Sequence, residues 1–158
     1  MFSVRIQREP FDAAAEAARL AQGRTDVGGI VTFTGLCRAD AGAEGAALAA
    51  LTLEHYPGMA EEEIERHVAE ARARWPLLGA IVVHRHGRLV PGDPIVFVAT
   101  ASAHRAAAFA AAEFLMDWLK TSAPFWKKEE LAGQGPEAGA WVEAKASDDA
   151  AAERWARD

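Results

Sequence analysis

The spacing of apolar and polar positions divides the chain into short elements of both kinds. Residues 2–7 read as a strand, and Asp12 caps a helix that stops near Gly23. Ile30, Thr32 and Thr34 alternate with Val31, Phe33 and Gly35, which predicts a mostly buried strand ending at Cys37 and opening into the alanine- and glycine-rich loop 39–47. A strand over 48–55 leads through Pro57-Gly58 into a helix. Its apolar positions Ile64, Val68, Ala71 and Trp75 recur at i, i+4, i+7 and i+11 with charges between, and Pro76 ends it. Strands over 80–86 and 94–101 flank a hairpin connection marked by Gly87 and Pro91-Gly92-Asp93. A helix over 106–119 follows, and 141–144 is a short late strand. The order βαββαββαβ predicts an α+β fold, a mixed sheet with packed helices. One domain covers 1–147; the tail 148–158 reads as a fraying helix whose Trp155 docks on the body or on a partner.

Composition narrows the function. A chain of 158 residues, 51% hydrophobic and 25% charged, has a real core to bury. No apolar run approaches the ~20 residues of a membrane span, and Met1-Phe-Ser-Val-Arg-Ile6 lacks the shape of a signal peptide, so a cytoplasmic protein is expected. A formal charge of −6 argues against a nucleic-acid partner, because phosphate-backbone binding wants a broad basic surface. The single cysteine excludes an intrachain disulfide and a thiolate-rich metal site. Cys37 suits a persulfide carrier by its place beside Arg38, but strand cysteines usually act as small buried hydrophobes. His84 and His86 share a strand face without an evident third ligand, so no metal is expected.

Candidate chemistry gathers at three basic places. In Lys120-Thr-Ser-Ala-Pro-Phe-Trp-Lys-Lys-Glu129 a helix runs to about Lys120, and Pro124 breaks it, so Lys127 sits on a return segment. Two readings stand. Either the lysines snorkel from a solvated turn, or both face one cavity where Phe125 and Trp126 desolvate an ammonium and lower its pKa. Ser102-Ala-His-Arg105 reads as strand, N-cap and first helical turn, with Ser102 the cap. Cations there oppose the helix dipole, which points either to a bound anion such as a phosphate or to a local carboxylate partner. Arg38 stands at a strand mouth.

Taken together, these segments resemble the large, catalytic subunit family of molybdopterin synthase. The landmarks stand in order: Val31-Thr-Phe-Thr-Gly35 with Arg38, Leu51-Thr-Leu-Glu-His-Tyr-Pro-Gly-Met-Ala60, Arg74-Trp-Pro76, His84-Arg-His-Gly87, Pro91-Gly-Asp93, Ser102-Ala-His-Arg105, Leu119-Lys120, Ala123-Pro-Phe-Trp-Lys127 and Trp141-Val-Glu-Ala144. The resemblance implies an α/β-hammerhead-like fold and a sulfurtransferase that needs no metal or cofactor. It implies that sulfur passes from the C-terminal thiocarboxylate of a small ubiquitin-like subunit to cyclic pyranopterin monophosphate. It further implies a homodimer within a heterotetramer. By the same resemblance Lys120 and Lys127 are catalytic, and Arg38, His104 and Arg105 bind substrate. Phe33 and Met116 shape the pocket, Glu129 orients a lysine, and Lys145 is a further substrate contact standing where relatives carry Arg.

Arg105 and Lys120 lie 15 residues apart, roughly 22 Å along a continuous helix. A small pterin phosphate does not span that, so either the clusters serve different ligands or a two-fold axis joins them. The competing class is a non-catalytic module that binds a phosphorylated metabolite or a ubiquitin-like partner through the same cations.

Overall fold

The computed structural model describes residues 1–39, 47–135, 139–142 and 146–157. Its strands form two four-stranded sheets. The first holds β1 (Phe2–Gln7), β4 (Leu77–Arg85), β6 (Pro94–Ser102) and β2 (Gly29–Leu36) in that order. Here β1 runs parallel to β4, while β4, β6 and β2 are antiparallel neighbours. The second sheet, wholly antiparallel, holds β5 (Gly87–Leu89), β3 (Leu48–His55), β7 (Phe125–Leu131) and β8 (Ala140–Val142). The helices are α1 (Ala13–Ala21), α2 (Met59–Arg74), α3 (Arg105–Thr121) and α4 (Ala146–Glu153), the last running into a 3-10 turn, Arg154–Arg157.

Strand periodicity splits the first sheet's side chains between two cores. Val82, Val96 and Val98 face α2 and α3, meeting Ile64, Val68, Ala71, Ala111, Phe114 and Leu115. Ile81, Val83, Phe97 and Ala99 face the other way, toward Leu20 and Ala17 of α1. The predicted apolar stripe of α2 is thus the buried one, with Ile64 and Ala71 wholly inaccessible. Buried alanines 107, 108, 111 and 112 let α3 lie close on the sheet, and the Thr100 hydroxyl donates to Ala108 O at 2.7 Å. Asp12 caps α1 as expected, its Oδ1 accepting from Ala14 N and Ala15 N.

Four local expectations change. The strand over Gly29–Leu36 is not mostly buried: it is a sheet edge, with Thr32, Phe33, Thr34 and Leu36 exposed. Alternation alone does not tell an edge strand from a central one. The link from β4 to β6 is more than a hairpin. After His86 N donates to Gln7 O, Gly87 turns at φ +87° and the chain crosses to the second sheet, where β5 pairs with β3. The return segment after Pro124 is a full strand, β7, between β3 and β8. The α3 N-cap is His104 rather than Ser102; Ser102 Oγ donates to Pro76 O and accepts from His104 N at 3.3 Å.

Trp155 docks on the body. Its indole Nε1–H donates to Asp117 at 2.7 Å, its ring meets Trp75 and Phe114 edge-on at 5.6 Å, and Arg74 donates to its carbonyl. Arg154 also grips Asp117. Trp155→Ala removes a half-buried ring and leaves part of Asp117 without its donor, a loss of about 2–3 kcal/mol. Thermal or urea unfolding checks this.

Candidate functional site

The lysine cluster forms where α3 ends and β7 begins. Lys120 lies exposed in the last turn of α3, whose capping Ser122 N–H reaches Trp118 O. Along β7, Phe125, Lys127 and Glu129 pair with His55, Leu53 and Leu51. Directly opposed residues share a face, so these three side chains turn toward the core of Cys37, Leu48, Leu51, Leu53 and Leu89. Trp126, Lys128 and Glu130 turn the other way, with Arg88 and the exposed Trp141 on that outer side. This corrects one expectation. Trp126, 49% exposed, does not line the Lys127 side, because adjacent strand residues point to opposite faces. The apolar surroundings of half-buried Lys127 come from Phe125 and the β3 leucines instead.

Arg38 follows Cys37 at the mouth of β2, where Cys37 N donates to Asp93 O and Gly92 N donates to Cys37 O. Arg38 therefore stands at the same end of the molecule as Lys127. Cys37 itself is 4% exposed. Burial, then the charge of Asp93, pushes its thiol above the ordinary range; Lys127 opposes this in part, and Glu129 adds a lesser push upward. At neutral pH it is a protonated thiol, unsuited to carry sulfur. Cys37→Ala is expected to keep substantial activity at a packing cost of about 1 kcal/mol; activity loss in a folded variant would revive the persulfide reading.

His104 and Arg105 stand exposed at the opposite end of the first sheet. Neither has a side-chain hydrogen bond or ion pair among the described residues, so the local carboxylate partner weighed from the sequence is not found there. Gly28 N donates to Ser102 O, and a methyl on Gly28 would collide with the Ala103 carbonyl, so the absent side chain lets this strand run against the turn that carries His104. Arg38 and His104 are separated by the length of β6, nine residues, or roughly 30 Å of strand. The helix α3 is continuous over Arg105–Thr121, which keeps Arg105 and Lys120 roughly 22 Å apart along its axis. One chain thus brings Arg38, Lys120, Lys127 and Glu129 to one end and leaves His104 and Arg105 at the other.

Of the remaining expected residues, Phe33 lies 41% exposed on the edge strand β2, and Met116 packs half-buried against the core beneath α3. Lys145 and most of the 39–47 loop lie outside the described residues. The sequence reading missed an aromatic knot beside the lysines. His84 stacks on Phe125 at 3.9 Å, His55 lies 4.5 Å from His86, and the charge of Lys120 reaches His84. The spacing of His84 and His86 singled them out, but only for a metal. Among the described residues no group of three metal-binding side chains occurs. A groove lined by Phe2, Val4, Glu65 and Arg72 lies between β1 and α2 and holds none of the candidate residues.

Known proteins resemble this chain over nearly its whole length. A "Molybdopterin synthase catalytic subunit" of Mesorhizobium japonicum is 62% identical over 153 residues, covering 97% of this chain and 92% of its own. The solved "Molybdopterin biosynthesis MoaE protein" of Burkholderia ambifaria superposes with a TM-score of 0.81 at 46% identity, covering all of both chains. A "Molybdopterin Synthase" structure from Staphylococcus aureus gives 0.75 at 30% identity, covering 87% of this chain and 95% of its own. The profile of the MoaE protein family matches residues 6–122. With that match and the identity of its relatives, the chain belongs to the MoaE family.

Proposed function

We propose that this protein is the catalytic subunit of a molybdopterin synthase, a sulfurtransferase. It moves sulfur from the C-terminal thiocarboxylate of a small ubiquitin-like subunit onto cyclic pyranopterin monophosphate, producing the dithiolene of molybdopterin. The observation that carries the reading is the lysine corner: two amines at one helix-to-strand junction, with Lys127 facing an apolar core, in a chain whose relatives are named for this activity.

The division of labour follows from position. Arg38 grips the substrate phosphate at the lysine end, and His104 and Arg105 come from a second copy of this chain, because α3 holds its own pair too far away. The small subunit's tail reaches Lys120 and Lys127. Lys127, in the drier setting, relays a proton or attacks transiently. Lys120, exposed in the last turn of α3, stabilises the thiocarboxylate or the oxyanion formed on attack. Phe33 and Met116 shape the substrate cavity, Glu129 orients Lys127 from two residues along the same strand face, and Lys145 adds a phosphate contact. The catalytic domain is 1–147, and the assembly is a homodimer with one small subunit at each end. A cytoplasmic location is part of this reading; among the described residues no helix is long and apolar enough to cross a membrane.

The test is to mix the protein with a thiocarboxylated small subunit and cyclic pyranopterin monophosphate. Product carrying two added sulfurs, found by mass, is the expected result. Tight binding of the partner without product would favour the non-catalytic module.

A further inference from the structure

We propose that His84 is a positioning residue, whose imidazole stacks on Phe125 and so fixes the turn that joins Lys120 to Lys127. Phe125 opens β7, five residues after Lys120 and two before Lys127. The intervening turn is held lightly: Ala123 N reaches Trp118 O at 3.3 Å, and Phe125 N reaches Ala123 O at 2.7 Å. What grips its far end is a pair of histidines from the two sheets. His84 of β4 lies against the Phe125 ring at 3.9 Å and 18°, nearly parallel, and His55 of β3 pairs with Phe125 across the strands with its ring 6.0 Å away. One of the contacts between the sheets is therefore also the contact at the junction between the lysines.

The chemistry of histidine suits that task better than an aliphatic side chain. His84 Nδ1 lies 2.9 Å from Arg85 O. A carbonyl only accepts, so Nδ1 carries the proton, and the bond fixes the plane of the ring as well as its place. The ring must also be neutral there. Burial, helped by the charges of His55, Lys120 and His86, lowers its pKa to about 4. Around the knot stand Glu61 of α2, 3.9 Å from His55, and Arg8 and Glu9, whose charges reach His86. A neutral flat ring packs on Phe125 without adding a second cation beside Lys120.

This role rests on the reading of Lys120 and Lys127 as catalytic, and the experiment separates the two. In the enzyme reconstituted with its thiocarboxylated small subunit, kcat and KM are compared for His84→Leu, His84→Phe and Lys127→Ala, well below every melting point. Misplaced amines should lower kcat of His84→Leu by at least about tenfold, with KM for both substrates within about twofold. His84→Phe, which restores the stack, should recover kcat to within about threefold of wild type. A purely structural residue would move the melting point and leave kcat of the folded protein alone. Wild-type kcat in His84→Leu, or a loss that His84→Phe does not recover, overturns the role. If His84→Leu does not fold, Phe125→Leu removes the stack from the other side with the Arg85 bond intact, and an unchanged kcat there overturns it equally. Normal turnover in Lys127→Ala sinks the catalytic reading itself; a dead Lys127→Ala beside a normal His84→Leu sinks only the positioning role.

Discussion

Lys127→Ala is expected to reduce product formation by at least about a thousandfold, ~4 kcal/mol of transition-state stabilisation at 1.36 kcal/mol per decade. The loss should fall on kcat, with the affinity for the small subunit nearly unchanged. Position is the reason. Lys127 shares a strand face with Phe125 and Glu129 and sits across from Leu53, beside the Cys37 core, so its amine works in surroundings drier than water. Its removal leaves the β7 ladder intact, since the backbone bonds to β3 and β8 remain, and stability should change by less than about 1 kcal/mol. Single-turnover assays with melting curves give both numbers. Near-normal turnover in a folded variant would take Lys127 out of the mechanism.

The second large effect is a recovery. Arg105→Ala and Lys127→Ala proteins, each inactive alone, should regain activity when mixed under conditions that exchange subunits. Arg105 opens α3 and Lys120 closes it, and the helix between them is unbroken. The rise of ~1.5 Å per residue then keeps one chain's two clusters from meeting on one small substrate. Across a two-fold axis each site takes the lysines of one chain and Arg105 of the other, so a hybrid dimer holds one site with both defects and one with neither. With equal mixing half the dimers are hybrids, and roughly a quarter of wild-type activity should return by the statistics of paired subunits. Mass measurement of the dimers must confirm exchange first. Exchanged mixtures that stay dead would mean that both clusters act within one chain.

Where the sequence reading succeeded, local chemistry dominated. Ile64, Val68 and Ala71 carry the helical period in their own spacing, and they are buried in the core that the stripe predicted. Asp12 caps the helix it precedes because an N-cap needs only a side-chain oxygen within three residues of the orphan amides. Lys120, Lys127 and Arg38 were proposed as site residues for a similar local reason: cations beside a proline break and a strand mouth stand out from a solvated face. Where the reading failed, partners distant in sequence decided. The alternation of Ile30 to Gly35 is the same for a central strand as for the edge strand it forms, and only the sheet order tells them apart.

The sequence by itself determined the alternation of strands and helices, the helical break before Lys127, and the ~22 Å that separates the ends of α3. These depend on neighbours within a few residues or on fixed backbone geometry. Only the tertiary structure decided that the strands divide into two sheets, that Lys127 rather than Trp126 faces the Cys37 core, and that His84 lies on Phe125. Each of those depends on which strand pairs with which. Pairing is set by contacts between segments tens of residues apart, and one register step would have sent Lys127 to the outer face.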